Sequence, residues 1–145
     1  MKKLVTTAAV VAVLALSACG SSGGDSKPAL TKSEFVKQAN AICKTGKAKL
    51  AAVQKANDPG DSVDAQVKFV TEHTLPSIQA QLSDIRDLGF PKGDEDTVDG
   101  IITEAEKALD TIEEDPKAAL ASGQDPFAGV NPKLKAYGLT ECGSA

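Results

Sequence analysis

From residue 31 onward, apolar residues recur at alternating spacings of three and four, which is the periodicity of one face of an α-helix. Thr31 and Glu34 have the spacing of a capping box at the start of the first stripe. The sequence Asn57-Asp58-Pro59-Gly60 ends it. The pattern therefore predicts a helix over about 32–56 with these core positions: Phe35, Ala39, Ile42, Gly46, Leu50 and Val53.

A second stripe predicts a helix from about residue 62 to 88. Pro76 interrupts it, because proline lacks the backbone N–H and its ring crowds the carbonyl of Glu72. We therefore expect a kink at 74–76 or a break into two helices. The apolar positions of this stripe are Val63, Val67, Val70, Leu75, Ile78, Leu82, Ile85 and Leu88.

A third stripe predicts a helix over about 95–114, preceded by acidic residues that favour a helix N-terminus. Asp115-Pro116 and Asp125-Pro126 each place a capping side chain before proline at a first helical position. They predict short helices near 116–122 and 126–137, and Asn131-Pro132 can split the second. The apolar positions of the third stripe are Val98, Ile101, Ile102, Ala105, Leu109 and Ile112.

The predicted fold class is all-α. No segment sustains the alternation of a strand, and helices joined by short loops pack as an antiparallel bundle. We expect one domain over 31–145, with three main helices, short C-terminal helices and a closing disulfide. The 145-residue chain is too short for two sizeable domains once a leader is removed.

The N-terminus predicts export and lipid attachment. A basic start is followed by the uncharged apolar run 4–16, which is too short to span a bilayer. Leu16-Ser17-Ala18-Cys19 then has the form of a bacterial lipobox. We therefore expect a signal peptide over 1–18, a diacylglyceryl group on Cys19 and a flexible Gly- and Ser-rich tether over 19–30. The expected location is the extracytoplasmic face of the cell membrane, and the alternative is an ordinary signal peptide with an incidental cysteine.

Two cysteines remain once Cys19 is assigned to the lipid. An even pair in an exported protein predicts a disulfide, here between Cys43 and Cys142. In the chain-entropy treatment, a loop of roughly 100 residues corresponds to about 4–5 kcal/mol of stabilisation. Two reduced, buried thiols are the alternative.

Charge narrows the range of partners. The net charge is −4 and becomes −6 when Lys2 and Lys3 leave with the leader, which argues against nucleic-acid binding. The first helix is nevertheless rich in lysine, whereas the next two are acidic. This asymmetry indicates complementary packing of the helices or contact with an anionic lipid or wall polymer. The candidate contact residues are Lys32, Lys37, Lys44 and Lys47.

The sequence offers little for catalysis. His73 is the only histidine, so a zinc-type site lacks its usual ligands. The acidic residues 94–99 do not follow calcium-loop spacing, because Val98 and Asp99 occupy positions that need a ligand and a glycine. We predict no cofactor and no metal, and of the possible enzymes only a hydrolase using carboxylates alone fits the sequence.

Three short motifs support a family resemblance. They are Phe35-x-x-x-Ala39-Asn40-x-Ile42-Cys43, Asp125-Pro126-Phe127 and Tyr137-Gly138-Leu139-x-x-Cys142. Together with the leader, they resemble small secreted lipoproteins of actinobacteria. The resemblance implies a paired cysteine but no known reaction, and it supplies no catalytic residue.

These observations favour a non-enzymatic module that is anchored to the membrane. Our first hypothesis is an interaction or cell-envelope accessory protein whose partner is an envelope protein or polymer. The second is a carrier that holds a small apolar ligand in a cavity between helices. The third is the carboxylate-only hydrolase.

The lipid-anchor hypothesis predicts that Cys19→Ser releases the protein from membranes. A thioether-linked diacylglyceryl group supplies two acyl chains, which is sufficient for stable anchoring. Fractionation of cells that express each form measures the effect. A Cys19→Ser protein that stays in the membrane fraction contradicts the lipobox interpretation.

Overall fold

The computed structural model describes residues 29–144, so the leader, Cys19 and most of the tether lie outside the described residues. Within that range the chain is helical and contains no strand, which confirms the all-α class and a small bundle. The helices are α1 (Lys32–Ala56), α2 (Val63–Phe69), α3 (Leu75–Asp87), α4 (Glu95–Glu114), α5 (Pro116–Ser122) and α6 (Asn131–Tyr137).

The capping box at the start of α1 is confirmed. The backbone N–H of Thr31 donates to a carboxylate oxygen of Glu34 at 2.9 Å, and the Glu34 N–H donates to the Thr31 hydroxyl at 3.3 Å. The side-chain and backbone hydrogen bonds from Thr31 hold the pKa of Glu34 below its ordinary value. Two of the N–H groups left unpaired at the helix start are thereby satisfied.

The interruption at Pro76 takes the form of a π-helical turn, Val70–Thr74, between α2 and α3. The N–H of Leu75 donates to the carbonyl of Val70, five residues earlier. The wider turn accommodates the ring of Pro76 and its missing N–H while the helical path continues. The expected interruption of the helix is therefore present, and it is a π-helical turn instead of a loop.

The C-terminal segment differs in detail from its predicted pattern. The helix expected from residue 126 begins only at Asn131, where Pro132 occupies the first turn. A carboxylate oxygen of Asp125 accepts from the Phe127 N–H at 2.8 Å, which makes a local turn of 126–130. We call residues 123–144 the C-terminal arm.

The core lies where the predicted stripes meet. Phe35 on α1 is fully buried and makes edge-to-face contacts with Phe90 and Tyr137, at centroid distances of 6.1 and 6.3 Å. The third predicted stripe is buried along its whole length on α4. Leu134 and Leu139 bring the C-terminal arm into the same cluster.

Helices α3 and α4 are antiparallel, as their side-chain pairs show. Gln79 on α3 donates to Glu113 on α4, whereas Arg86, further along α3, pairs with Glu106, earlier on α4. Arg86 also reaches Asp99 at 2.6 Å. The hydrogen bonds that Arg86 donates to the carboxylates of Glu106 and Asp99 raise the pKa of its guanidinium above the ordinary value and keep it charged.

A disulfide and the hydrogen bonds of Asn40 are among the contacts that tie the C-terminal arm to α1. Cys43 and Cys142 form the predicted disulfide, with Cα atoms 5.1 Å apart and a sequence separation of 99. The side-chain amide of Asn40 donates to the Gly138 carbonyl and accepts from the Glu141 N–H, both at 2.9 Å. Two motifs at opposite ends of the domain therefore meet.

We expect the double variant Cys43→Ser/Cys142→Ser to lose about 3–5 kcal/mol of unfolding free energy, because the unfolded chain is no longer cross-linked over so long a loop. Urea unfolding monitored by circular dichroism measures the loss. In the native protein, both thiols should resist alkylation until a reductant is added. Ready labelling without reductant contradicts the disulfide.

Candidate functional site

A partly open cavity of about 300 Å³ lies between α1, α3, α4 and the C-terminal arm. Its inner wall is apolar and includes buried side chains from three different helices. Protein interiors seldom contain voids much larger than one water molecule, whose share of liquid volume is about 30 Å³. The apolar wall consists of Leu50, Ile78, Leu82, Ile85, Ile102, Ala105, Phe127 and Leu134.

Polar side chains line the outer part of the cavity, and we call this set the rim. It comprises Lys47, Gln81, Asp125, Asn131, Glu141 and Ser144. Lys47 is the centre of one polar group, because its ammonium lies 3.2 Å from the Glu141 carboxylate and donates to the Ser144 hydroxyl at 2.6 Å. The side chains of Lys47 and Glu141 are 42% and 43% exposed, so the pair remains in contact with solvent.

The second polar group of the rim centres on Asp125. One of its carboxylate oxygens accepts from the Phe127 N–H and the other from the Asn131 side-chain amide, each at 2.8 Å. Both oxygens are thus already engaged in holding the turn that carries Phe127 to the cavity. Asp125 therefore has a positioning role in this part of the wall.

The disulfide lines the cavity in addition to cross-linking the C-terminal arm to α1. Cys43 and Cys142 are both lining residues. Leu134, Glu141 and Ser144 reach the cavity from the arm that this bond fixes to α1. The C-terminal wall of the cavity therefore depends on the cross-link.

Gln81 separates the cavity from a second, more open groove of about 440 Å³ between α1 and α3. Its side chain lies against Gly46, where a Cβ atom would overlap the side-chain amide. The amide donates to the Ser77 carbonyl at 3.0 Å. Because residue 46 is a glycine, the Gln81 side chain has room to lie between the cavity and the groove.

The four candidate lysines have different surroundings. Lys32 lies 3.3 Å from Asp94 and 4.2 Å above the Tyr137 ring, and Lys47 is part of the rim. Lys37 and Lys44 are exposed, seven residues apart on α1, and pair with no acid within residues 29–144. Contact with an anionic surface stays a prediction, and these two side chains are the ones available for it.

Asp94, Tyr137 and Lys32 form a cluster that joins the start of α4 to the C-terminal arm and α1. The Tyr137 hydroxyl donates to Asp94 at 2.9 Å, and this bond, followed by the hydrogen bond and charge of Lys32, holds the pKa of Asp94 below its ordinary value. Burial, followed by the bond to Asp94, raises the pKa of Tyr137. The cluster is a structural brace.

His73 and the remaining acidic residues were the other candidates for a chemical site within residues 29–144. His73 belongs to the π-helical turn, and its ring packs at a tilt against the Phe69 ring, with ring centroids 5.2 Å apart. Across the described part of the chain, no three His, Cys, Asp or Glu side chains converge as metal ligands. In the same range, no helix is both long enough and apolar enough to cross a bilayer.

Comparisons with known proteins give no further assignment. No protein-family model matches the chain, and no curated protein and no solved structure is significantly similar to it.

The brace predicts part of the acid sensitivity of the fold. A carboxyl group whose folded pKa is depressed stabilises the native state above its ordinary pKa of about 4, and this contribution is lost as the pH falls through the folded pKa. Asp94→Asn should therefore flatten the loss of stability on acidification below about pH 4.

Urea unfolding at a series of pH values measures this slope. Asp96→Asn is the matched control, because Asp96 is exposed in the same helical turn and makes no side-chain bond within the described residues. Identical slopes for the wild type and Asp94→Asn contradict the brace.

Proposed function

We propose that the protein is a membrane-anchored extracytoplasmic lipoprotein whose helical bundle binds a small apolar molecule without transforming it. The observation that carries the proposal is the cavity of about 300 Å³. Ligand sites of proteins are typically concave, mostly apolar, and carry a few polar groups at defined positions. The volume is at the lower end of the usual range of about 300–1,000 Å³.

The arrangement of the wall supports binding more than a packing defect. Ile102 and Ala105 of α4 lie at the base, and α1, α3 and the arm enclose the space above them. The polar side chains collect at the rim and do not interrupt the apolar wall. The fold thereby maintains an apolar surface with access from solvent, which a core selected only for stability would fill.

The anchor gives this binding site a location. If Cys19 carries the lipid, residues 19–30 form a tether with a contour length on the order of 40 Å. The cavity then stays within reach of the membrane surface. A carrier that acts there fits our first hypothesis of a cell-envelope accessory module and gives that module a ligand. The resemblance to actinobacterial lipoproteins supports the same location.

Filling the cavity tests the proposal. Ala105 is buried at the cavity, so Ala105→Phe should occupy its apolar part and weaken binding of the uncharged aliphatic probe decan-1-ol by about tenfold or more. Isothermal titration calorimetry with the full extracytoplasmic chain measures the affinity.

Ala108→Phe is the matched control, because Ala108 lies on the same helix but does not line the cavity. Circular dichroism establishes that both variants remain helical. Equal binding of decan-1-ol by the wild type and a folded Ala105→Phe variant refutes the proposed site.

A further inference from the structure

We infer that the cavity takes an uncharged, single-chain aliphatic amphiphile, with its tail against the apolar wall and a hydroxyl-type head group at the Lys47–Glu141 rim. The inference rests on the proposed function and adds the chemical class of the ligand. Three properties of the site lead to it: its volume, the chemistry of its wall, and the pairing of Lys47 with Glu141 at its rim.

The volume limits the ligand to one short chain. At about 30 Å³ for each water-sized group, 300 Å³ holds on the order of ten non-hydrogen atoms. This is sufficient for one medium-length alkyl chain and insufficient for the two chains of a membrane phospholipid. The cavity therefore fits a free single-chain molecule.

The wall favours an aliphatic tail. Phe127 is the one aromatic side chain among the lining residues, and the other apolar members are leucine, isoleucine and alanine. A flat aromatic ligand gains most where rings can stack on it, and this wall offers few such contacts. An alkyl chain can instead follow the irregular surface between the helices.

The rim disfavours a charged head group. The charge of Lys47 is neutralised by Glu141 at 3.2 Å, and Asp125 uses both of its oxygens within the fold. A carboxylate on the ligand must compete with Glu141 for Lys47 and also meets the negative charge of Asp125. An ammonium placed at the same pair meets the positive charge of Lys47, and the Glu141 carboxylate that could attract it is already paired with that lysine.

Hydrogen-bonding capacity for a neutral head group remains at the rim. An ammonium has three N–H donors, and Lys47 donates one of them to Ser144 while it forms an ion pair with Glu141. Gln81 uses its amide nitrogen on Ser77, and its carbonyl oxygen accepts no hydrogen bond within the described residues. A hydroxyl can accept from the first side chain or donate to the second.

Three probes with the same tail test the head-group preference: decan-1-ol, decanoate and decylammonium. At pH 8 the acid is ionised and the amine is protonated. Isothermal titration calorimetry with the full extracytoplasmic chain measures each affinity. We expect decan-1-ol to bind about tenfold or more tightly than either charged probe. Equal or tighter binding of decanoate or decylammonium overturns the inference, and the proposed function stands.

A charge variant tests the physical reason. Glu141→Gln removes the carboxylate that neutralises Lys47 but keeps the size of the side chain and the backbone bond to Asn40. Decanoate should then bind about tenfold more tightly than it binds the wild type, while binding of decan-1-ol changes little.

Glu104→Gln is the matched control, because Glu104 pairs with Lys133 at 2.6 Å and does not line the cavity. It should leave all three affinities unchanged. Unaltered decanoate binding by Glu141→Gln overturns the inference. Failure of wild-type protein to bind any of the three ten-carbon probes overturns the proposed function and the inference together.

Discussion

The attachment of the C-terminal arm to α1 is the constraint on which the domain depends. Cys43 and Cys142 form the covalent link, and Asn40 supplies hydrogen bonds to the backbone on both sides of the turn after α6. The arm carries short helical and turn segments, which are marginal on their own in water. Held against α1, it completes the core with Leu134 and Leu139.

The same attachment produces the cavity. Three long helices alone would leave the apolar faces of α1, α3 and α4 open on the side that the arm covers. The arm closes that side only in part, and its polar residues Glu141 and Ser144 form the rim together with Lys47. Fold closure and ligand access are therefore two consequences of one interaction.

Several charged side chains form ion pairs that join the helices and the C-terminal arm to one another. The basic first helix and the acidic later segments suggested either complementary packing or an anionic partner. Lys32 and Lys47 support complementary packing, because they pair with Asp94 and Glu141. Arg86 similarly joins α3 to α4. The exposed Lys37 and Lys44 are the lysines among the four candidates that remain consistent with an anionic partner.

The sequence by itself determined the helices, because periodic apolar stripes, the Thr31 cap and proline-bearing helix starts are local signals. It also indicated the disulfide, since only two cysteines remain for pairing when Cys19 is assigned to the lipid. Only the tertiary structure shows that a π-helical turn accommodates Pro76. It also decided that α6 starts at Asn131 and that the stripes meet around a cavity. Local periodicity specifies which face of each helix is buried, but the space left between those faces depends on how several side chains pack together.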